Sequence, residues 1–197
     1  MVGEQGHSEA RERVLVEAER QFGERGYTAV TLRDIANALG IKQASLYHHV
    51  PGGKEELFVE VTERTLRRHR DGLAAAIAGA GPQLRAQLRA VADWLLAHPP
   101  MDLVRMSYSD MPAIDPQHAE RLSRLAYEAL LVPLAAVLQQ AQARGEIRHH
   151  NLFLVAGGLL GMIESLHSAP TNSGISRQQM AWQLIDVMLD GLRPRGT

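Results

Sequence analysis

Ten residues, Thr31 to Gly40, write both ends of a helix into the chain and leave it little freedom to begin or stop elsewhere. Thr31 can accept from the first helical turn while Asp34, three residues on, bonds back, the reciprocal pattern of a capping box. Val30 and Ile35 occupy the staple positions on either side, and Leu32, Ile35, Ala36 and Leu39 recur at helical spacing to bury one face. Gly40 then stands where a left-handed C-cap is wanted. A tight turn at Gly40 and Ile41 leads into a second helical pattern, Lys42 to His49, with Leu46 and Val50 pointing inward. On that wheel Ala44, Ser45 and His48 point outward, Gln43 and Tyr47 flank them, and Pro51, Gly52 and Gly53 end the helix.

The rest of the chain reads as helix too. Alanine and leucine contribute 26 residues each of 197, whereas Phe, Trp and Tyr number only 3, 2 and 4, a composition that favours helices over long strands. Apolar spacing predicts helices over about Ser8 to Arg25 (stopped by Gly26), Lys54 to Ala80, Gln83 to Ala97, Met101 to Asp110, Gln117 to Arg144, Asn151 to His167 and Ser176 to Leu192. Pro133 is expected to kink the long one. The fold class is therefore all-α, with about nine helices and no internal repeat. The long helix from Lys54 is the candidate boundary between residues 1–54 and residues 55–197.

Other classes recede on composition. The absence of cysteine excludes a disulfide scaffold, an iron–sulfur cluster, a cysteine-ligated zinc site and a thiol redox sensor. The longest apolar stretch, Leu152 to Ile163, falls short of the ~20 residues of a membrane helix, so no membrane association is expected. The segment Met1 to Ala10 has no apolar run of a secretory leader, so a cytoplasmic location is expected. No Gly-rich phosphate loop, GxSxG or HExxH is present, which argues against an enzyme and gives no reason to expect a cofactor. The formal charge of −1 gives no global sign of a nucleic-acid partner; locally, Thr31 to Lys54 holds Arg33, Lys42 and Lys54 against Asp34 alone.

Two short helices joined by a glycine turn, the second polar on its outer face, match a helix-turn-helix whose second helix enters the major groove. Gln43 can offer an amide pair to an adenine edge, Ser45 a hydroxyl to several bases, and Ala44 close approach to a thymine methyl. Thr31 with its helix N-terminus, Tyr47, His48, His49 and Lys54 can bind phosphates and set register without reading sequence. By periodicity alone, the same pair also fits an ordinary helical bundle.

The residues carry more than periodicity. Phe22-Gly-Glu-Arg-Gly-Tyr-Thr-Ala-Val-Thr31, Leu32-Arg-Asp-Ile-Ala-Asn-Ala-Leu-Gly-Ile41, Ala44-Ser-Leu-Tyr-His-His49 and Lys54-Glu-Glu-Leu57 together resemble the DNA-binding domain of the TetR family of bacterial transcriptional regulators over roughly Glu9 to Phe58. The resemblance implies an N-terminal three-helix DNA-binding domain followed by a helical effector-binding and dimerisation domain. It implies base contacts from Gln43, Ala44 and Ser45 and backbone contacts from Thr31, Tyr47, His49 and Lys54, with Lys42 and His48 as additions. Val50 departs from the family's common Phe. The link Pro51-Gly52-Gly53 is one residue longer than the commoner one, which leaves the register of Lys54 on phosphate open.

Beyond Phe58 the resemblance is architectural. It implies a homodimer through the last two helices, about 151–167 and 176–192, a double-stranded palindromic operator, and release by a small-molecule effector, with repression the commoner mode. Gly157, Gly158 and Gly161 allow close helix approach, and Leu184, Val187, Met188 and Leu192 form an apolar stripe that a plain core would show as well. Candidate effector contacts are Trp94, Leu103, Met106, Tyr108, Met111, Leu125, Tyr127 and Glu164. Their methionine and aromatic character suits a hydrophobic or aromatic compound, and each also fits a plain core. Glu164 can instead pair with an arginine such as Arg105 or cross the dimer interface. The adjacent His149 and His150 lack the spacing to share a metal, so no metal site is expected. A helical small-molecule-binding protein without DNA readout is the alternative function.

Overall fold

The computed structural model describes residues 2–148, 150–170 and 174–193, with side chains from residue 9 onward. Among them lie nine helices and no strand: α1 (Val2–Arg25), α2 (Leu32–Leu39), α3 (Gln43–Tyr47), α4 (Gly53–Gly79), α5 (Leu84–Leu96), α6 (103–113), α7 (Pro116–Ala143), α8 (Leu152–Ser165) and α9 (Arg177–Leu192). The first begins at Val2 rather than Ser8.

The chain packs as two units, Met1–Thr65 with Met101–Leu125, and Leu66–Pro100 with Ala126–Thr197. The sequence boundary at residue 54 divides the chain differently. Residues 55–65 join the first unit because Leu57, Phe58 and Val61 point into its core, and 101–125 join it because Met111, Ile114 and Leu122 complete that core. The same core holds Val14, Leu15, Ala18 and Phe22 of α1, Leu32, Ile35 and Ala36 of α2, and Leu46 and Val50. Phe58 meets Phe22 edge-on at 5.3 Å and Tyr27 at 4.9 Å between ring centroids. Ion pairs fix the first part of α4: Glu60 to Arg11 at 2.7 Å, Glu63 to Arg121 at 2.6 Å, and Arg64 to Glu12.

In the second unit α5 lies among α7, α8 and α9 and buries Leu84, Leu88, Val91, Ala92 and Leu95 at helical spacing. Burying one such Leu or Val side chain contributes about 1.5–3 kcal/mol. Trp94 of α5 lies against α4 where Gly72 carries no side chain. Its Nε1–H donates to Nδ1 of the buried His69 at 3.3 Å, and its ring stacks on His98 at 3.9 Å. Trp182 Nε1–H of α9 donates to Asp93 at 3.0 Å, and Asp186 takes Arg85 and Arg89.

Proline shapes two helices in the same way. A proline has no N–H for the carbonyl four residues back, and its ring crowds that carbonyl. Before Pro112 the helix widens into a π turn, Met106–Asp110, closed by Met111 N–H to Met106 O; before Pro133 the turn Tyr127–Leu131 is closed by Val132 N–H to Tyr127 O. The kink expected at Pro133 is thus a π turn, and helix resumes to Ala143. α7, with 28 residues, is long and apolar enough by composition to cross a membrane, unlike the shorter stretch weighed in the sequence. Its Leu122, Ala129, Leu130, Leu134 and Leu138 are buried within the protein, as in a core helix.

Candidate nucleic-acid interface

α2 has the ends its sequence specifies. Thr31 is extended (φ −116°, ψ 158°); its Oγ1 accepts Asp34 N–H at 3.1 Å, and Asp34 Oδ2 accepts Thr31 N–H at 2.8 Å. The Thr31 hydroxyl also donates to Asp34 Oδ2 at 2.7 Å. These bonds from Thr31 hold the Asp34 carboxyl below its ordinary pKa. The Thr31 hydroxyl is therefore engaged at both donor and acceptor. What α2 can offer a phosphate at this end is the set of first-turn N–H groups that a helix leaves without intrahelical partners. At the other end Gly40 has φ 67°, where a side chain would be strained, and Ile41 N–H closes the cap on Ala36 O at 3.0 Å.

α3 has five residues, too few to stand alone in water. Leu46, fully buried, and Val50, 4% exposed, tie it to the core. Every other side chain of the helix then faces out: Gln43, Ala44, Ser45 and Tyr47 are exposed, as are Lys42 at the N-cap and His48 just past the end, and His49 is half-buried. Tyr47 leaves 47% of its surface in solvent, unusual for an aromatic of a small unit with an available core. One short, rigidly seated helix thus presents an amide, a methyl, a hydroxyl and a phenol together with the exposed Lys42 and Arg33, the chemistry of base reading flanked by phosphate binding.

Lys54 stands at the second position of α4, after Gly53 at φ 78°. Its Nζ lies 4.1 Å from the centroid of the Tyr27 ring, a cation–π contact. Burial pushes the Lys54 ammonium below its ordinary pKa, with the carboxylates of Asp110 and Asp34 opposing, and burial raises the Tyr27 phenol. The ring of Tyr27 is thus what gives Lys54 its place despite the long link before it. This support had no sequence signal beyond the presence of Tyr27 in the matching stretch.

The structure distributes the effector candidates over both units. Met111 is buried in the first unit's core, Met106 packs partly buried against that core, Leu103 and Leu125 are half-buried, and Tyr108 is 84% exposed. In the second unit Trp94 is half-buried on His69 and His98, Tyr127 stacks on Phe153 at 5.4 Å with both rings exposed, and Glu164 is half-buried. Arg105, offered above as a partner for Glu164, has its guanidinium on the α1 carbonyls of Phe22 and Gly23 at 3.2 and 2.6 Å. His149 lies outside the described residues; His150 N–H bonds Gln142 Oε1 at 3.3 Å.

Comparison with known proteins gives this arrangement a family. Residues 14–61 match the family described as bacterial regulatory proteins, tetR family. The HTH-type transcriptional regulator LmrA of Bacillus subtilis (strain 168) is 41% identical over 54 residues, 27% of this chain. That match spans 29% of LmrA's length, so the chain matches less than a third of this relative. Over the whole fold, the TetR family transcriptional regulator PfmR from Thermus thermophilus superposes with a TM-score of 0.70 at 26% identity, covering 92% of this chain and 100% of that one. AibR, solved in complex with isovaleryl coenzyme A and operator DNA, shares the fold with a TM-score of 0.73 at 19% identity, covering 94% of this chain and 99% of its own. Residues 14–61 therefore carry the DNA-binding helix-turn-helix of the tetR family of bacterial regulatory proteins, and the chain as a whole has the fold of a TetR family regulator.

Proposed function

We propose that the chain is a ligand-responsive transcriptional repressor of the bacterial cytoplasm, binding a palindromic operator as a homodimer and released from it by a small molecule, and that it is not an enzyme. The observation that carries this reading is α3: a helix of five residues whose Leu46 is fully buried and whose Gln43, Ala44, Ser45 and Tyr47 all face solvent. Gln43, Ala44 and Ser45 read bases; Lys42, Tyr47, His48, His49, Lys54 and the α2 terminus at Thr31 hold the phosphate backbone.

The dimer forms through α8 and α9. Support comes from apolar side chains left in solvent there, with Leu154 at 73% and Val187 at 72% exposure, beside the exposed Gly158 and Gly161. A two-fold pair would set its recognition helices about 34–36 Å apart, one turn of the duplex. The effector is an apolar or aromatic compound, with Trp94, Tyr127 and Glu164 the candidate contacts within the second unit. AibR, which shares the fold, holds both an acyl coenzyme A and operator DNA in one complex.

The test uses duplex fragments from the DNA flanking the gene. One fragment should bind more tightly than a shuffled control, and an apolar compound that raises the melting temperature in a thermal-shift screen should release it. A ligand that binds while no fragment is ever retained would favour a helical small-molecule-binding protein without DNA readout.

A further inference from the structure

Asp110 is a carboxylate only 3% exposed, in the π turn of α6, more than fifty residues past the end of the helix-turn-helix. Such a group is costly unless its oxygens are bonded. Both are occupied. Oδ1 accepts the main-chain N–H of Tyr27 at 2.8 Å, and Oδ2 lies 3.6 Å from Arg105 Nε. Arg105 in turn donates to Phe22 O at 3.2 Å and Gly23 O at 2.6 Å, carbonyls in the last turn of α1. A cation there satisfies acceptors that the helix leaves open and complements its dipole. Gly26, at φ 81°, lets the main chain come this close, since a Cβ would stand 2.9 Å from Arg105 Cδ and 3.0 Å from Asp110 Oδ1.

Tyr27 therefore has two attachments. Its main chain is bonded to Asp110, and its ring, backed by Phe58 at 4.9 Å, carries the Lys54 ammonium at 4.1 Å. The link before Lys54 cannot supply that placement by itself, because Gly52 and Gly53 are the residues with the widest backbone freedom. The geometry points to Asp110 as a positioning residue for operator binding: by fixing Tyr27 it seats the ring on which Lys54 rests, and so sets where Lys54 meets a backbone phosphate. The inference rests on the DNA-binding reading above for its consequence, but the seating of Lys54 is a property of the free protein.

The experiment reads the two separately. In the free protein, Lys54 ε-methylene protons should be shifted upfield by the Tyr27 ring current in NMR spectra. Tyr27→Leu should abolish the shift, and Asp110→Leu, which keeps the size and removes the acceptor for Tyr27 N–H, should reduce it. A full shift in folded Asp110→Leu overturns the proposal whether or not the protein binds DNA. On a bound duplex, Lys54→Gln should weaken affinity about tenfold, as expected for loss of a charge-assisted contact. It should also reduce the slope of log affinity against log salt by ~0.9, one phosphate contact. Asp110→Leu should reduce the slope by a comparable amount, and adding it to Lys54→Gln should lower it no further. An unchanged slope in Asp110→Leu, or additive losses in the double variant, would show a purely structural role and overturn the proposal. If Asp110→Leu does not fold, Tyr27→Leu carries the same slope test, with the same two outcomes. Absence of any DNA binding by the parent protein would instead remove the functional reading and leave the NMR result to decide the seating.

Discussion

Replacing Gly72 with alanine sets a local gain against a packing loss. In a helix interior alanine is favoured over glycine by about 1 kcal/mol. At Gly72, however, the added Cβ would stand 1.8 Å from Trp94 Cζ2, 2.1 Å from Cε2 and 2.3 Å from Cη2. Carbon atoms rest at about 3.5–4.0 Å, so the indole must retreat by roughly 1.7 Å or more. That movement parts Trp94 Nε1 from His69 Nδ1, now 3.3 Å away, and lifts the ring from His98, now 3.9 Å away. Leaving the His69 nitrogen unbonded in its buried site costs about 1–3 kcal/mol, and the lost ring pair about 0.5–1.5 kcal/mol. Against the helix gain, the net effect is a destabilisation of about 0.5–3.5 kcal/mol, or a melting temperature lower by roughly 1–14 °C for a chain of this size. Thermal unfolding at fixed protein concentration measures it, with tryptophan emission as the local readout. Trp94 and Trp182 are the two tryptophans, so a Trp182→Phe background makes the signal that of Trp94 alone. A melting temperature raised by the substitution, with emission unchanged, would refute the reasoning, because the indole would then not depend on the bare backbone of Gly72.

Other expected outcomes are smaller or more local. Thr31→Ala removes the side-chain half of the capping box and should lower stability by about 1 kcal/mol in chemical denaturation, with Thr31→Ser restoring most of it. Tyr47→Phe should weaken binding to all operator variants alike. Gln43→Ala should instead relax preference at particular base pairs, about 1–3 kcal/mol for each lost base contact, read by competition with a panel of single-site operator variants. Glu55 Oε1 lies 2.8 Å from His118 Nδ1 and accepts Asp115 N–H at 3.0 Å, and these partners lower its pKa, His118 first. Because the folded value is the depressed one, the contribution of Glu55 is present above the unfolded carboxyl's pKa and is lost as pH falls through the folded value. Glu55→Gln should therefore flatten the acid limb of a stability–pH profile.

Where a feature is encoded within a few turns of its own residues, the sequence was enough. The capping box at Thr31 and Asp34, the left-handed Gly40 and the inward Leu46 and Val50 all depend on neighbours three to ten positions away, and the structure has each of them. Pro133 is visible in the sequence as a disturbance, but whether a helix answers it, or Pro112, with a break, a bend or a wider turn depends on what packs on either side. Here both prolines follow π turns. The Thr31 hydroxyl looked available to phosphate because its second bond, to Asp34 Oδ2, leaves no trace in spacing. Asp110 and Tyr27 are 83 residues apart, and nothing in a single sequence pairs one aspartate with one backbone N–H at that distance. For the same reason no sequence signal placed Met111 in the hydrophobic core of the first unit, with Met106 packed against it.

The central claim is that α3 reads a duplex, and selection of bound DNA from a random duplex pool at two salt concentrations tests it most directly. The expected result is a palindromic motif with half-sites one helical turn apart, bound more weakly at the higher salt and lost from the selection when Gln43 and Ser45 are both replaced by alanine. Recovery of no motif, or of binding indifferent to salt and to α3, would contradict it.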